Sequence, residues 1–320
     1  MKFFTLLFID ENKQLSVNLN ANFENQIRIF KNCCINLNES LKNNINHELI
    51  ILTNNKSFIS KIIKNIEIIE IDFYYVFPSK IDYFAAHHKL NVYNWISRNI
   101  NDYCFIIDND IICINNFPIN IKKCVEQEIP LYYNISDQLI PAFTREDIIN
   151  SKNIVYNNNK SIGMWAGGEF ISGNQSFFKK LDNKIQKYYH NYISNHNLLF
   201  HQSDETLTSI AIEEMLCEGY TLIDAGLIGG ITRYWSYTPK HIQKDIYNYN
   251  DYFLLHLPTD KKYLAELKET NNFLINYIKY LSSLKENKQI QNKPFKIIIK
   301  RFYEKFLFEF RSFKNYFKNF

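Results

Sequence analysis

FIIDNDIICI, residues Phe105–Ile114, holds two carboxylates one residue apart, Asp108 and Asp110, between two apolar runs. The run before them is short and rich in β-branched and aromatic residues, which predicts a buried strand over Tyr103–Ile107. Three stretches upstream have the same character: Lys2–Ile9 (KFFTLLFI), Glu48–Thr53 (ELIILT) and Ile66–Ile71 (IEIIEI). Phe23–Leu41 and Ile81–Ile100 repeat apolar residues at intervals of three and four, the spacing of helices that cross over between parallel strands. The expectation is an α/β fold with a doubly wound, mostly parallel sheet flanked by helices.

Downstream, Leu131–Ile135 reads as a further strand, and Ala142–Lys160 is polar and irregular. Gly163–Gly173 (GMWAGGEFISG) is glycine-rich and aromatic, which predicts a site-forming loop or a tight bend on an aromatic core. Phe177–Ser194 and Glu205–Glu218 read as helices, the second capped by Ser203 or Asp204, and Tyr220–Ala225 as a strand. These segments place a main domain over residues 1–284 and a separate tail over 285–320. In the tail Phe295, Ile299, Phe302, Phe306, Phe310, Phe313, Phe317 and Phe320 form one helical stripe among lysines and arginines. Such a basic amphipathic C-terminal helix suits either an anionic membrane surface or a docking face on protein.

Formal net charge is +4, but Lys285–Phe320 holds ten Lys or Arg against three Glu, so the rest of the chain lacks the broad basic face of a nucleic-acid binder. Hydrophobic residues make up 46% of the chain, enough for a sizeable core and too many for wholesale disorder. The six cysteines have no C-x-x-C spacing and sit largely in apolar runs, which predicts reduced thiols and a cytoplasmic location. Met1–Asp10 has no basic flank or cleavage site and reads as a core strand rather than a signal peptide. No window is long and apolar enough to span a membrane, so peripheral contact with the inner face of the cytoplasmic membrane through the tail is the expected association.

The acidic pair offers hard oxygen ligands where ligands gather, at the carboxyl end of a strand, so Asp108 and Asp110 are candidate ligands for Mn²⁺ or Mg²⁺. The alternative is a turn in which both acids cap backbone groups. Asp204 and Glu205 at a helix start are favoured as anions by the macrodipole and can serve as base or nucleophile; the alternative is an N-cap and a first-turn acid. In GMWAGGEFISG the glycines allow close backbone approach, Trp165 can stack on a sugar face and Glu169 can accept from hydroxyls. His256, after the apolar Leu254–Leu255, is a candidate third metal ligand or a structural histidine, with Lys261 or Lys262 nearby. Asp224, Gly226, Gly229, Gly230 and Arg233 can line the same cleft or make turns.

The strand, D-x-D and apolar continuation, preceded by Ala85-Ala86-His87-His88-Lys89-Leu90, resemble the GT-A glycosyltransferases. Trp165–Gly173, Phe177-Phe178 and His201-Gln202-Ser203-Asp204-Glu205 are similar in order to the retaining transferases of the blood-group A and B type. A Gln-Ser insertion after His201 departs from that pattern. The resemblance implies a GT-A (Rossmann-like) fold and a hexosyltransferase that uses a nucleotide-sugar donor and Mn²⁺ or Mg²⁺. It implies a glycan or lipid-linked acceptor in surface polysaccharide or lipooligosaccharide synthesis, and no nucleic-acid partner. By the same resemblance Asp108, Asp110 and His256 hold metal, and Asp108, Asn109, Lys89 and Lys261 contact donor. Trp165, Gly167, Gly168 and Glu169 face acceptor, and Glu205 or Asp204 assists catalysis. The rival readings are a nucleotidyl or phosphoryl transferase using the same acids, though Lys2–Leu15 has no glycine for a phosphate loop, and a non-catalytic membrane-docking scaffold.

Overall fold

The computed structural model describes residues 1–10, 19–138, 143–157, 161–236 and 243–288. Its strands are β1 (Lys2–Leu6), β2 (Leu49–Thr53), β3 (Glu67–Glu70), β4 (Cys104–Ile107), β5 (Ile111–Cys113), β6 (Leu131–Asn134), β7 (Ala166–Gly173), β8 (Ile223–Asp224), β9 (Ile231–Arg233) and β10 (Leu254–His256). The helices are α1 (Phe23–Ile45), α2 (Lys56–Ile62), α3 (Phe84–His87), α4 (Lys89–Asn99), α5 (Ile119–Glu126), α6 (Arg145–Tyr156), α7 (Gln175–Asn195), α8 (Asp204–Cys217), α9 (Lys261–Ala265) and α10 (Phe273–Lys288).

A seven-stranded sheet runs in the order β3-β2-β1-β4-β7-β6-β8, and a three-stranded sheet in the order β5-β10-β9. Neighbours pair parallel in the large sheet except where β7 lies antiparallel between β4 and β6. The α/β, mostly parallel sheet flanked by helices therefore stands. Strand alternation divides the core: Phe3 and Phe105 face the layer containing α1, whereas Phe4, Cys104 and Ile106 face the layer built on α4, α7 and α8. Every strand position from Cys104 to Ile107 is buried, as expected for a central strand covered on both faces.

Several expectations need correction. GMWAGGEFISG is not a loop: Ala166–Gly173 is a fully buried strand in the middle of the sheet. Its glycines are there for close approach, because a Cβ on Gly173 would meet Phe177 at 2.3 Å. The polar stretch 142–160 contains helix α6, held by a capping box in which Thr144 and Asp147 bond reciprocally, and closed by Asn157 at φ 56°. Ile148, Ser151, Lys152, Val155 and Tyr156 are its buried positions, a helical spacing hidden by polar residue types. Ile81–Ile100 breaks into α3 and α4, and the strand over Tyr220–Ala225 contracts to Ile223–Asp224. α10 extends to Lys288; the Phe-rich stripe from Phe295 onward lies outside the described residues. Among the described residues no helix is long and apolar enough to cross a membrane.

Candidate active site

β4 ends at Ile107, so Asp108 is the first residue beyond the strand, and Asn109 and Asp110 turn the chain into β5. This turn lies beside the central strand β1, where ligands of open α/β sheets collect. Asp108 N donates to the carbonyl of Glu169 on β7 at 3.1 Å, and Leu257 N donates to the carbonyl of Asp110 at 3.0 Å. Those backbone bonds fix both acids relative to two distant segments. Asp110 is buried and Asp108 and Asn109 are half-buried.

The small sheet brings the next residues in by register. His256 on β10 lies opposite Ile111 on β5 and opposite Arg233 on β9. His256 Nε2 is 3.1 Å from Asp110 Oδ1, and its Nδ1 is 3.3 Å from Glu169 Oε1 without hydrogen-bond alignment. Arg233 donates to both oxygens of Glu169 at 2.7 Å in a forked pair. Lys261, the first residue of α9, donates to Asp110 Oδ2 and to Pro258 O, while Lys262 is exposed. Asp108, Asp110 and His256 each offer a ligand atom within 4.8 Å of the others, and among the described residues they form the candidate metal group.

On the other side stands Lys89 at the start of α4. Its Nζ lies 2.8 Å from Asp108 Oδ1, 2.8 Å from Gly168 O and 3.3 Å from Asp204 Oδ2. Ser203 caps α8 by accepting from Glu205 N, which settles the cap in its favour and leaves Asp204 and Glu205 in the first turn. Glu205 Oε1 accepts from Gly168 N at 3.0 Å and Oε2 from the indole Nε1 of Trp165 at 2.9 Å. His201 Nε2 lies 3.6 Å from Oε2 and Arg233 3.9 Å from Oε1. A Cβ on Gly168 would meet Asp204 Oδ2 at 2.6 Å and Lys89 Nζ at 3.0 Å, and one on Gly167 would meet Glu169 Oε2 at 2.2 Å. A side chain at either position would push these carboxylates or Lys89 aside.

The charges shape one another. Burial pushes the Asp204 carboxyl up to about 7 against the pull of Lys89, with Glu205 and Asp108 adding to the rise. Burial would also raise Asp110, but Lys261 and His256 overcome it and hold the carboxyl well below its ordinary range. Burial alone would lower His256, yet Asp110 and Glu169 raise it to about 9. Arg233 likewise outweighs burial at Glu169 and brings it to about 2.

The structure thus brings Asp108, Asp110, Lys89, Glu169, Asp204, Glu205, Arg233, His256 and Lys261 together, with different surroundings for some, while Lys262 is exposed. Trp165 and Glu169 are each 1% exposed, so in this conformation the indole and the carboxylate contact protein rather than an open cleft. Asp224 keeps to turn chemistry, accepting from Asn134 N and Gly226 N. Sequence reasoning missed the pairing of Arg233 with Glu169 and the approach of His201 to Glu205. Only the spatial register of the two sheets reveals the first; the i, i+4 spacing across the start of α8 was available for the second. No protein-family model matches this chain, and a search of curated proteins finds no significant match.

Proposed function

We propose that the chain is a metal-dependent glycosyltransferase of the GT-A type, which transfers a sugar from a nucleotide-sugar donor to a glycan or lipid-linked acceptor. The observation that carries this reading is the convergence of Asp108, Asp110 and His256 at the carboxyl end of β4, with ligand atoms within 4.8 Å of one another. Two carboxylates and one imidazole fit a divalent ion that accepts hard oxygen and tolerates nitrogen, and Mn²⁺ meets both demands more readily than Mg²⁺. Such an ion supplies electrostatic stabilisation to a diphosphate leaving group.

The chain's own residues complete the arrangement. Lys89 and Lys261 flank the acids with ammonium groups suited to phosphate oxygens. Glu205 is oriented by two N–H donors and keeps 17% of its side chain exposed, against 2% for Asp204. It is the carboxylate we assign to assist the acceptor hydroxyl, with Asp204 orienting Lys89. The sheet order, with its parallel strands interrupted by antiparallel β7, supports the GT-A assignment.

The test is thermal stabilisation by UDP, GDP and CMP sugars with and without Mn²⁺, in the wild type and in Asp110→Ala. A metal-dependent rise in melting temperature with one donor class, absent from Asp110→Ala, is the expected result. A folded wild type that responds to none of them would sink the reading.

A further inference from the structure

Helix α4 carries polar residues on opposite sides. Lys89 at its start reaches the acidic cluster. Arg98 lies two and a half turns further on, so it leaves the opposite face about 13 Å along the axis. There α4, α7 and the segment before α3 border an open cavity of about 440 Å³, lined in part by Tyr74, Asn94, Arg98, Lys179, Asp182 and Gln186. Its size falls within the range of about 300–1,000 Å³ that small-molecule sites occupy.

Asp182 is 5% exposed and takes neutral donors. Its Oδ1 accepts from the Tyr75 hydroxyl at 2.6 Å, and its Oδ2 from Asn94 Nδ2 and Gln186 Nε2, each at 2.8 Å. With Nδ2 committed there, the Asn94 amide offers Oδ1 to Arg98, which donates from Nη2 at 2.7 Å and from Nε to the Asn94 carbonyl at 3.3 Å. The buried carboxylate thus orients the guanidinium through one amide, and the rest of the guanidinium fork stays outside this chain of bonds. Among the described residues Arg98 and Lys179 bond only to neutral groups, Lys179 through Gln175 Oε1 at 3.5 Å. Two cations against the one carboxylate of Asp182 leave the cavity an excess of one positive charge. Tyr74 adds a ring that is 60% exposed, set at 82° to the ring of Tyr75 with centroids 5.1 Å apart.

These groups narrow the ligand. An inorganic anion would answer the charge but leave Tyr74 and most of the cavity uncovered. A neutral sugar would use the ring and the Gln186 amide but leave the two cations without a counter-ion. A sugar with an acid group meets every demand: its carboxylate or phosphate pairs with the guanidinium fork and the ammonium, the apolar face of its ring covers Tyr74, and its hydroxyls meet the amide.

We propose that this cavity is a saccharide site separate from the transfer centre, which takes an acidic sugar residue of a glycan, with Arg98 and Lys179 pairing its acid group and Tyr74 stacking on its ring. The glycan context rests on reading the chain as a glycosyltransferase. The site then holds the acceptor at a unit other than the one that receives the new sugar. Asp182 and Asn94 are positioning residues that act through Arg98.

The test is ligand-observed NMR titration of the full chain, without metal or donor, using the methyl glycosides of glucuronic and galacturonic acid, glucose 6-phosphate, methyl glucoside and acetate. At least one acidic sugar is expected to bind at least about tenfold tighter than methyl glucoside and acetate, and which one does so tells carboxylate from phosphate. Arg98→Gln and Tyr74→Ala, both at exposed positions, are expected to keep the wild-type melting temperature and each to weaken that binding by about tenfold, the scale of one lost contact to a charged or aromatic group. Asp110→Ala is expected to bind the acidic sugar as the wild type does. Acetate binding as tightly as the sugars would mean an adventitious ion only, and methyl glucoside binding as tightly would remove the charge selection. Either result overturns the proposal, as does no binding by any probe, unchanged binding in Arg98→Gln, or binding lost in Asp110→Ala. Acidic-sugar binding by a chain that no nucleotide sugar stabilises sustains the cavity site and sinks the transferase reading; donor-dependent stabilisation without acidic-sugar binding does the reverse.

Discussion

The indole Nε1–H of Trp165 donates to Glu205 Oε2 at 2.9 Å, which ties the first buried aromatic residue before β7 to the first turn of α8. With Gly168 N on the other oxygen, the carboxylate is held in one orientation. Glu205→Gln is expected to lower kcat by about 10²-fold or more, with donor KM little changed, as for loss of a general base. Asp204→Asn, acting through Lys89, is expected to raise donor KM instead. Steady-state kinetics on both variants check the assignment, and the opposite pattern would exchange the two roles.

Gly168 has no room for a methyl group, since its Cβ would fall 2.6 Å from Asp204 Oδ2. Gly168→Ala must displace Asp204 or Lys89 and is expected to weaken metal-dependent donor binding by about tenfold, the scale of a misplaced polar contact. Titration of the variant with the donor that stabilises the wild type measures it. Unchanged affinity would mean that the pair moves aside freely.

Arg233 and Glu169 bridge the two sheets inside the protein, at 6% and 1% side-chain exposure. Arg233→Met leaves Glu169 with only His256 nearby, and urea unfolding is expected to show a loss of about 3–5 kcal/mol, typical of an orphaned buried charge. The double variant Arg233→Met/Glu169→Leu is expected to recover most of it. A single-variant loss under about 1 kcal/mol would place the pair among weak surface-type interactions.

His87 is fully buried, and burial lowers its pKa from 6.5 to about 3 although the Tyr83 carbonyl pulls the other way. The neighbouring His88, His201 and His196 add to the lowering. Because the folded pKa is depressed, the unfolded chain binds more protons between these values, so His87 stabilises the fold above pH 6.5 and loses that contribution progressively down to pH 3. Unfolding midpoints in urea should fall over this window, and fall less steeply in His87→Gln. Parallel slopes in the two proteins would refute the assignment.

The strands were legible because buried parallel strands are continuous apolar runs, as in CFII before Asp108. Helix α6 was not, because Ser151 and Lys152 occupy buried positions that pattern reading assigns to solvent; Lys152 is accommodated by Glu213 at 2.8 Å. GMWAGGEFISG misled in the opposite sense, since glycines that signal a bend can equally admit a neighbouring carboxylate to a central strand. Within the site, Asp108, Asp110, Asp204 and Glu205 were readable from local context: a strand end and a helix start. His256 and Lys261 were readable only as residue types after a short strand. Their meeting with Asp110 depends on the pairing of β5 with β10, which no local pattern encodes.

Lys261 lies 151 positions after Asp110, and this separation sets an order of events during synthesis. A ribosome releases the strands β1 to β4, with both aspartates, well before β10 and α9 exist. Until those elements emerge, Asp110 lacks both of the cations that neutralise it, and the candidate metal group lacks its histidine. The charge balance of the site is thus closed by the last third of the chain, so a protein cut short before Leu254 retains its acidic pair but has no means of completing the centre around it.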